Sequence, residues 1–395
     1  MKKTVVVAMS GGVDSSVAAY LLKEKKYNVI GLFMKNWHDT SVTVSDECPW
    51  LEDSYDAMTV AEKLNIPFQS IDLSVEYKLK IVDYMIKEYK EGRTPNPDVL
   101  CNKEIKFDIF LKKALSLGAD FVATGHYARK TKTKSGKKII YKLFSGKDSL
   151  KDQSYFLCQL NQGQISKILF PIGGLEKSKV RYIAKKQNLI TAEKRDSQGL
   201  CFIGKVKLPD FLKQKLIEKK GKVILIEKKL FLKRNKEYFH KTFDAFLDNN
   251  SKPLIFSLED GKTIGYHNGA HFYTVGQRKG LSIGGAKEPL YILKTDVKKN
   301  IIYVGEGSDH PGLFRRGISI NTEKVHWVRE DLKLSENKFL KVKSRIRYRQ
   351  KLKNSYLYMR NKKLYIIFDS PISSISEGQF IVWYLKNELI GSAVI

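Results

Sequence analysis

Two cysteines and one glycine loop carry most of the chemistry legible in this chain. Ser10-Gly11-Gly12-Val13-Asp14-Ser15-Ser16 links the β-rich run Thr4–Met9 to residues with helical spacing. Gly11 and Gly12 can take positive φ and let the backbone approach an anion closely. Ser15 and Ser16 open a helix whose unpaired N–H groups and positive dipole end favour phosphate. A P-loop would carry a lysine after its glycines, and none stands here. Asp14 is awkward beside phosphate unless Mg²⁺ accompanies the ligand. Cys101 closes a loop with two prolines, Gly92–Cys101, near the predicted start of a helix, where a thiol pKa falls. Arg93, Lys103 and Lys106 add positive potential, and Asp98 is a carboxylate able to move a proton. Cys201 lies in a Gly-flanked loop bracketed by Arg195 and Lys205. Cys158, in the apolar run Tyr155–Leu160, and Cys48 are read as packing residues. No CxxC pair occurs, which argues against a structural zinc, an iron–sulphur cluster or a secreted disulfide framework.

The elements that must position these residues fall into two textures. Up to about residue 205, strands (Thr4–Met9, Asn28–Lys35, Pro67–Asp72, Asp120–Tyr127) alternate with helical stretches (Ser15–Lys23, Ser54–Leu64, Tyr77–Tyr89, Lys103–Leu115). Such alternation predicts an α/β domain with a parallel sheet covered on both faces, its ligand at the carboxyl ends of the strands. Beyond it, short alternating strands such as Lys222–Glu227, Ala270–Val275, Leu290–Lys294, Ile301–Val304 and Phe339–Tyr348 predict a small central β-rich domain and a C-terminal β-barrel. The expected domains are 1–205, 206–298 and 299–395.

The 395 residues carry 71 Lys+Arg against 42 Asp+Glu, a formal charge of +29, which points to a polyanionic partner over a Lys-rich background. No apolar run is long enough to span a membrane, and the N-terminal apolar stretch stops too early for a signal peptide. A cytoplasmic protein is expected. Lys341, Lys343, Arg345, Arg347 and Arg349 alternate with Val342, Ser344, Ile346 and Tyr348. In one strand, all five cations would share a face, a row suited to structured RNA.

SGGVDSS resembles the signature of the PP-loop ATP pyrophosphatases, which cleave ATP between the α and β phosphates and transfer AMP to a substrate oxygen. Combined with two thiols, this suggests adenylation of a carbonyl oxygen followed by displacement of AMP by a persulfide sulphur. Taken together, the motifs resemble the bacterial tRNA-specific 2-thiouridylases over nearly the whole chain. They are MSGGVDSSV (9–17), GLFMKNW (31–37), CPWLEDSYDA (48–57), GRTPNPDVLCNKEIKF (92–107), ATGHYAR (123–129), KDQSYFL (151–157), RDSQGLCFIG (195–204) and YTVGQRKGL (273–281).

The resemblance implies a PP-loop catalytic domain acting on the wobble uridine, with ATP and Mg²⁺ as reactants. Cys201 would carry the persulfide, Cys101 would be the second thiol, and a transient Cys101–Cys201 disulfide would form in turnover, with Asp98 as acid/base. ATP would be held by Ala8, Met9, Ser10, Gly11, Gly12, Val13, Asp14, Ser15, Met34 and Gly125, the Mg²⁺ ligands being unassigned. The tRNA (the acceptors for Lys, Glu and Gln) would meet Asn96, Pro97, Asp98, His126, Lys151, Asp152, Gln153, Arg347, Tyr348 and Gln379. A cysteine desulfurase or relay protein would supply the persulfide.

Several alternatives stand beside these readings. His126 could equally cap a strand end. An amine-using PP-loop synthetase needs no thiol pair, and an RNA-binding protein with a degenerate loop needs no ATP. One departure from the family is an insertion of roughly 35 residues, about 227–258, read as an elaboration of the central domain or a partner-binding hairpin.

Overall fold

The computed structural model describes residues 2–36, 49–196, 208–234, 242–281 and 283–395; Cys48 and Cys201 lie outside the described residues. The run Thr4–Met9 forms β1, followed by α1 (Val13–Glu24), β2 (Asn28–Lys35), α2 (Pro49–Lys63), β3 (Phe68–Asp72) and β4 (Phe121–Ala123). The chain then leaves as a hairpin, β5 (Ala128–Ser135) and β6 (Lys138–Ser145), and returns as β7 (Ile168–Leu169). Five strands make a parallel sheet in the order β3-β2-β1-β4-β7. Val5, Val7 and Met9 face a core with Val17 and Ala57, while Val6 and Ala8 face another with Phe107 and Tyr155. β1 is thus buried on both sides, as an unbroken Val-rich strand demands.

A second sheet is built from β8 (Gly221–Ile226), β9 (Gly261–His267), β10 (Leu290–Asp296) and β11 (Ile301–Glu306), in the order β10-β11-β8-β9. The boundary expected at 298 falls in the turn of the β10–β11 hairpin, so this unit continues to Glu306. The strand expected at Ala270–Val275 is instead a 3₁₀ turn, Ala270–Phe272.

The third sheet contains β12 (Phe314–Asn321), β13 (Val325–Trp327), β14 (Phe339–Arg345), β15 (Lys353–Arg360), β16 (Lys363–Ser373), β17 (Phe380–Leu385) and β18 (Glu388–Val394). It also takes in β5 and β6, nine strands in all, with β6 paired to β18. The N-terminal half therefore lends a hairpin to the C-terminal sheet, so the division at 205 does not separate the strands cleanly. β17 faces both ways: Phe380, Val382 and Tyr384 join the core of the N-terminal half, while Ile381 and Trp383 join the core of the C-terminal sheet.

The expected row of five cations is corrected here. Lys341 and Lys343 are exposed, but β14 ends at Arg345, whose side chain turns inward. It donates to Asp152 Oδ2 at 2.8 Å and to the Tyr384 hydroxyl at 2.7 Å. Asp152, expected at the RNA surface, is buried; its Oδ1 accepts from the Gly146 and Ser154 N–H groups. Breaking a buried ion pair leaves a charge without its partner, costing about 3–5 kcal/mol. Arg345→Met should therefore lower stability by about that much, read as a shift of the urea midpoint, whereas Arg349→Met, on an exposed side chain, should shift it little.

Candidate active site

The strand order reverses between β1 and β4, so their carboxyl ends flank a crevice. Ala8 and Met9 end β1, and Ser10–Gly12 turn the chain into α1. Gly11 has φ +69°, and a β-carbon there would lie 2.2 Å from the Asp53 carbonyl oxygen of α2. Gly125, just after β4, sits so close that a β-carbon would be 2.8 Å from the backbone of Asp14 and Ser15. The Ser15 hydroxyl accepts from Ser10 N–H at 3.1 Å and donates to the Gly12 carbonyl, closing the turn. Gly12 caps α1 without a side chain, leaving the first N–H groups of the helix open to an anion. Met34 lies half-buried near the end of the neighbouring β2.

The charge on Asp14 has an answer that the motifs did not reveal. Lys177, at the start of the helix Lys177–Lys186, donates to both Asp14 oxygens at 2.8 and 2.9 Å and reaches Asp196 at 2.7 Å. The Tyr127 hydroxyl donates to Asp14 Oδ1 at 2.8 Å. Burial and then Asp14 push the Tyr127 hydroxyl up, so it remains a donor. Burial tends to raise the Asp196 carboxyl, but hydrogen bonds from Lys151 and Lys177 prevail and hold it at about 2. Arg181 also reaches Asp196, and Lys194 pairs with Asp53 and Asp56 of α2. Two acids and three cations thus meet around Lys177. Lys177 stands in no recognisable motif, and only the fold brings its helix to α1.

The second half of the site is a helix spanning Pro97–Leu100, a π-helical stretch Cys101–Ile109, and Phe110–Ser116. Asn96 caps it, accepting from Val99 N–H at 3.2 Å, with Pro97 in the first turn where a missing N–H does no harm. Asp98 is half-buried and Cys101, one turn on, is buried. Arg93 lends less potential than expected, because Glu88 binds it at 2.5 and 2.6 Å and Glu91 binds it too. The loop before Asn96 is pinned from the C-terminal sheet: Thr94 N–H donates to the Glu377 carbonyl at 2.7 Å. Gln379 Nε2 donates to the carbonyls of Thr94 and Pro95. Gln379 therefore holds the loop that carries Asn96–Asp98.

The segment after β4 joins the two halves. Gly125 abuts the phosphate loop, and the next residue, His126, packs against Phe107 of the Cys101 helix with ring centroids 6.0 Å apart. His126 is buried, also meets Phe170, and shares a 2.7 Å hydrogen bond with Thr124 Oγ1, the geometry of a strand-end cap. Among the other expected RNA contacts, Lys151 binds Asp196, and Gln153 Oε1 accepts from Tyr127 N–H at 3.0 Å. Arg347 donates to the carbonyls of Val275 and Ser374, and Tyr348 packs on Phe156 at 4.4 Å. Cys158 is buried and its thiol is pushed up to about 12 by desolvation, as suits an inert packing residue.

Desolvation, then the Lys106 charge, depress the His126 pKa well below its usual 6.5. Acid below about pH 6.5 therefore protonates the unfolded chain before the folded one, and the stability contributed by neutral His126 is lost as pH falls from there. Its imidazole resonances should keep the neutral pattern through the pH at which a free histidine is half protonated, read in an NMR titration.

Three family models match in succession: a tRNA methyl transferase HUP domain over residues 3–205, a tRNA methyl transferase PRC-barrel domain over 244–306 and an aminomethyltransferase beta-barrel domain over 318–395. Curated relatives match end to end. The tRNA-specific 2-thiouridylase MnmA of Christiangramia forsetii is 60% identical, with 100% of both chains covered. Those of Flavobacterium johnsoniae and Karelsulcia muelleri are 59% and 52% identical, covering 100% of this chain and 100% and 99% of theirs.

Proposed function

This chain belongs to the family of tRNA-specific 2-thiouridylases, and from that premise we propose that it converts the wobble uridine (position 34) of tRNA to 2-thiouridine in an ATP-dependent sulphur transfer. The observation that carries the reading is the junction at Gly125 and His126, which sets an anion-binding helix start beside the helix of Asp98 and Cys101. Binding ATP at Ser10–Ser15 would aim its phosphates at the open N–H groups of α1. Lys177 would offset Asp14, which otherwise repels those phosphates.

The uridine C2 oxygen attacks the α-phosphorus and pyrophosphate leaves, so that a poor leaving group becomes AMP. A persulfide on Cys201 attacks C2, AMP departs, and the base is then joined to Cys201 through two sulphurs. The Cys101 thiolate attacks the Cys201 sulphur; the outer sulphur stays on C2, and a Cys101–Cys201 disulfide forms, which a thiol reductant must reopen. Asp98, half-buried one turn before Cys101, would move the proton.

Among the described residues no cluster of three or more His, Cys, Asp or Glu could hold a metal. Asp14, Asp53, Asp56 and Asp196 already face lysines. Mg²⁺ would accordingly ride chiefly on the phosphates and water, its usual preference, and no step here depends on a protein-built metal centre. Among the described residues no helix is long and apolar enough to cross a membrane. A cytoplasmic setting, acceptor tRNAs for Lys, Glu and Gln, and a desulfurase or relay protein as persulfide donor complete the proposal.

Two measurements test it. With tRNA, ATP and a persulfide donor, Cys101→Ser should stop with tRNA covalently held on the protein and released by dithiothreitol; full turnover of this variant without added thiol would sink the two-thiol scheme. Lys177→Met should weaken ATP binding about tenfold to a hundredfold by calorimetry, the value of charge-assisted contacts of about 1.5–3 kcal/mol, and Lys177→Arg should recover part of it.

A further inference from the structure

The outer face of the C-terminal sheet is divided in two. Along β14, Val342 and Ser344 turn inward, so Phe339, Lys341 and Lys343 turn outward. Pairing sets Phe339 opposite Tyr358, Lys341 opposite Tyr356 and Lys343 opposite Asn354. On β16, the next outward residues Tyr365 and Ile367 are covered by the helix Phe243–Ser251, which lays Leu247 on them. This helix lies in the stretch expected to be an insertion, although the PRC-barrel match begins at residue 244, and it is neither a hairpin nor confined to the central domain. Thr242 caps it, Tyr365 donates to Asp248 at 2.8 Å, and Arg315 holds its last carbonyl at 2.7 Å.

The cover stops before β14. At its edge Phe243 meets Tyr358 edge-on at 5.2 Å. Tyr358 in turn stacks with Phe339 at 5.8 Å and with Tyr356 at 6.2 Å. Lys341 Nζ lies 5.7 Å from the Tyr356 ring. Phe339 is 63% and Phe243 46% exposed, large values for aromatic side chains. The nearby acids include Asp244, spent on Arg360 at 3.2 Å, Asp248, bonded to Tyr365, Glu336, bonded to the Asn361 N–H, and Asp369 on β16. From Lys338 to Lys363 the sequence has eleven Lys/Arg and no acid.

Rings in a row with ammonium groups between them suit bases and phosphates, since every base offers a π-face and stacking tolerates any sequence. We propose that Phe339, Tyr356, Tyr358 and Phe243, with Lys341 and Lys343, form a second RNA surface on which exposed bases of the tRNA outside the anticodon loop stack. This rests on the reading of tRNA as substrate. Arg345 at one end of β14 abuts the catalytic half, and Phe339 at the other lies about 20 Å away along the strand. The surface is therefore set apart from the target uridine. Charge complementarity favours RNA over a protein partner, whose interfaces are depleted of lysine.

The test compares binding of intact tRNA and of an isolated anticodon stem–loop by wild type, Phe339→Ala/Tyr356→Ala and Lys341→Ala/Lys343→Ala. Both variants should bind intact tRNA at least about fivefold more weakly, the lower value of one lost stack, and should raise KM with kcat unchanged. Stem–loop affinity should stay as in wild type. The lysine variant should also reduce the log–log salt slope by about 1.4–1.8. Wild-type affinity for intact tRNA in both variants overturns the surface while leaving the substrate reading intact, as does equal weakening for the stem–loop. A wild-type protein that binds neither RNA overturns both. Circular dichroism with unchanged helix and strand signal guards against a misfolded variant.

Discussion

The buried Asp152–Arg345 pair is the contact on which the layout of the molecule turns. Neither group can be left alone away from water, because an unpaired buried charge costs several kcal/mol. Asp152 belongs to the catalytic half, where it also ties down the Gly146 and Ser154 N–H groups; Arg345 ends β14 of the C-terminal sheet. Tyr384 supplies a hydroxyl to Arg345 and sits on β17, whose alternate residues already divide between two cores. With β5 and β6 added to the same sheet, the two halves share strands, core and charge. A hinge between them would have to break all three.

That union has a consequence for the chemistry. The loop bearing Asn96, Pro97 and Asp98 is held by Glu377 and Gln379, residues from nearly three hundred positions later. A reacting group displaced by about 1 Å can lose much of its effect, so in the proposed reaction, where two substrates and two thiols would meet, rigid support from a distant sheet is useful. The phosphate loop solves a different problem. It retains an acid, Asp14, where the proposed nucleotide would bind, and sets Lys177 and Tyr127 against it. The result is a locally balanced site: the helix dipole and open N–H groups can attract phosphate without meeting an uncompensated carboxylate.

The connection between β8 and β9, where an insertion was expected, shows how such a segment can be absorbed. Its helix covers the apolar part of an otherwise exposed sheet face with Leu247 and leaves the aromatic and cationic part in water. An exposed strand face is a liability unless covered, charged or used.

Much of this was legible in the residues. The β1–loop–α1 order, the parallel sheet, the cap and proline before Cys101, and the packing role of Cys158 all follow from periodicity, turn chemistry and local hydrogen bonding, which operate over a few residues. The expected row from Lys341 to Arg349 failed because alternation shows which residues share a face only while the strand lasts, and it ends at Arg345. Nothing near Asp152 in the sequence showed that it would be buried, because its partner stands 193 positions away. Lys177 and the hold of Gln379 on Thr94 were silent for the same reason. Local sequence determined the elements and singled out the candidate reactive groups; which charges would neutralise one another was decided only by folding, since burial and a partner distant in the chain have no signature in any short stretch.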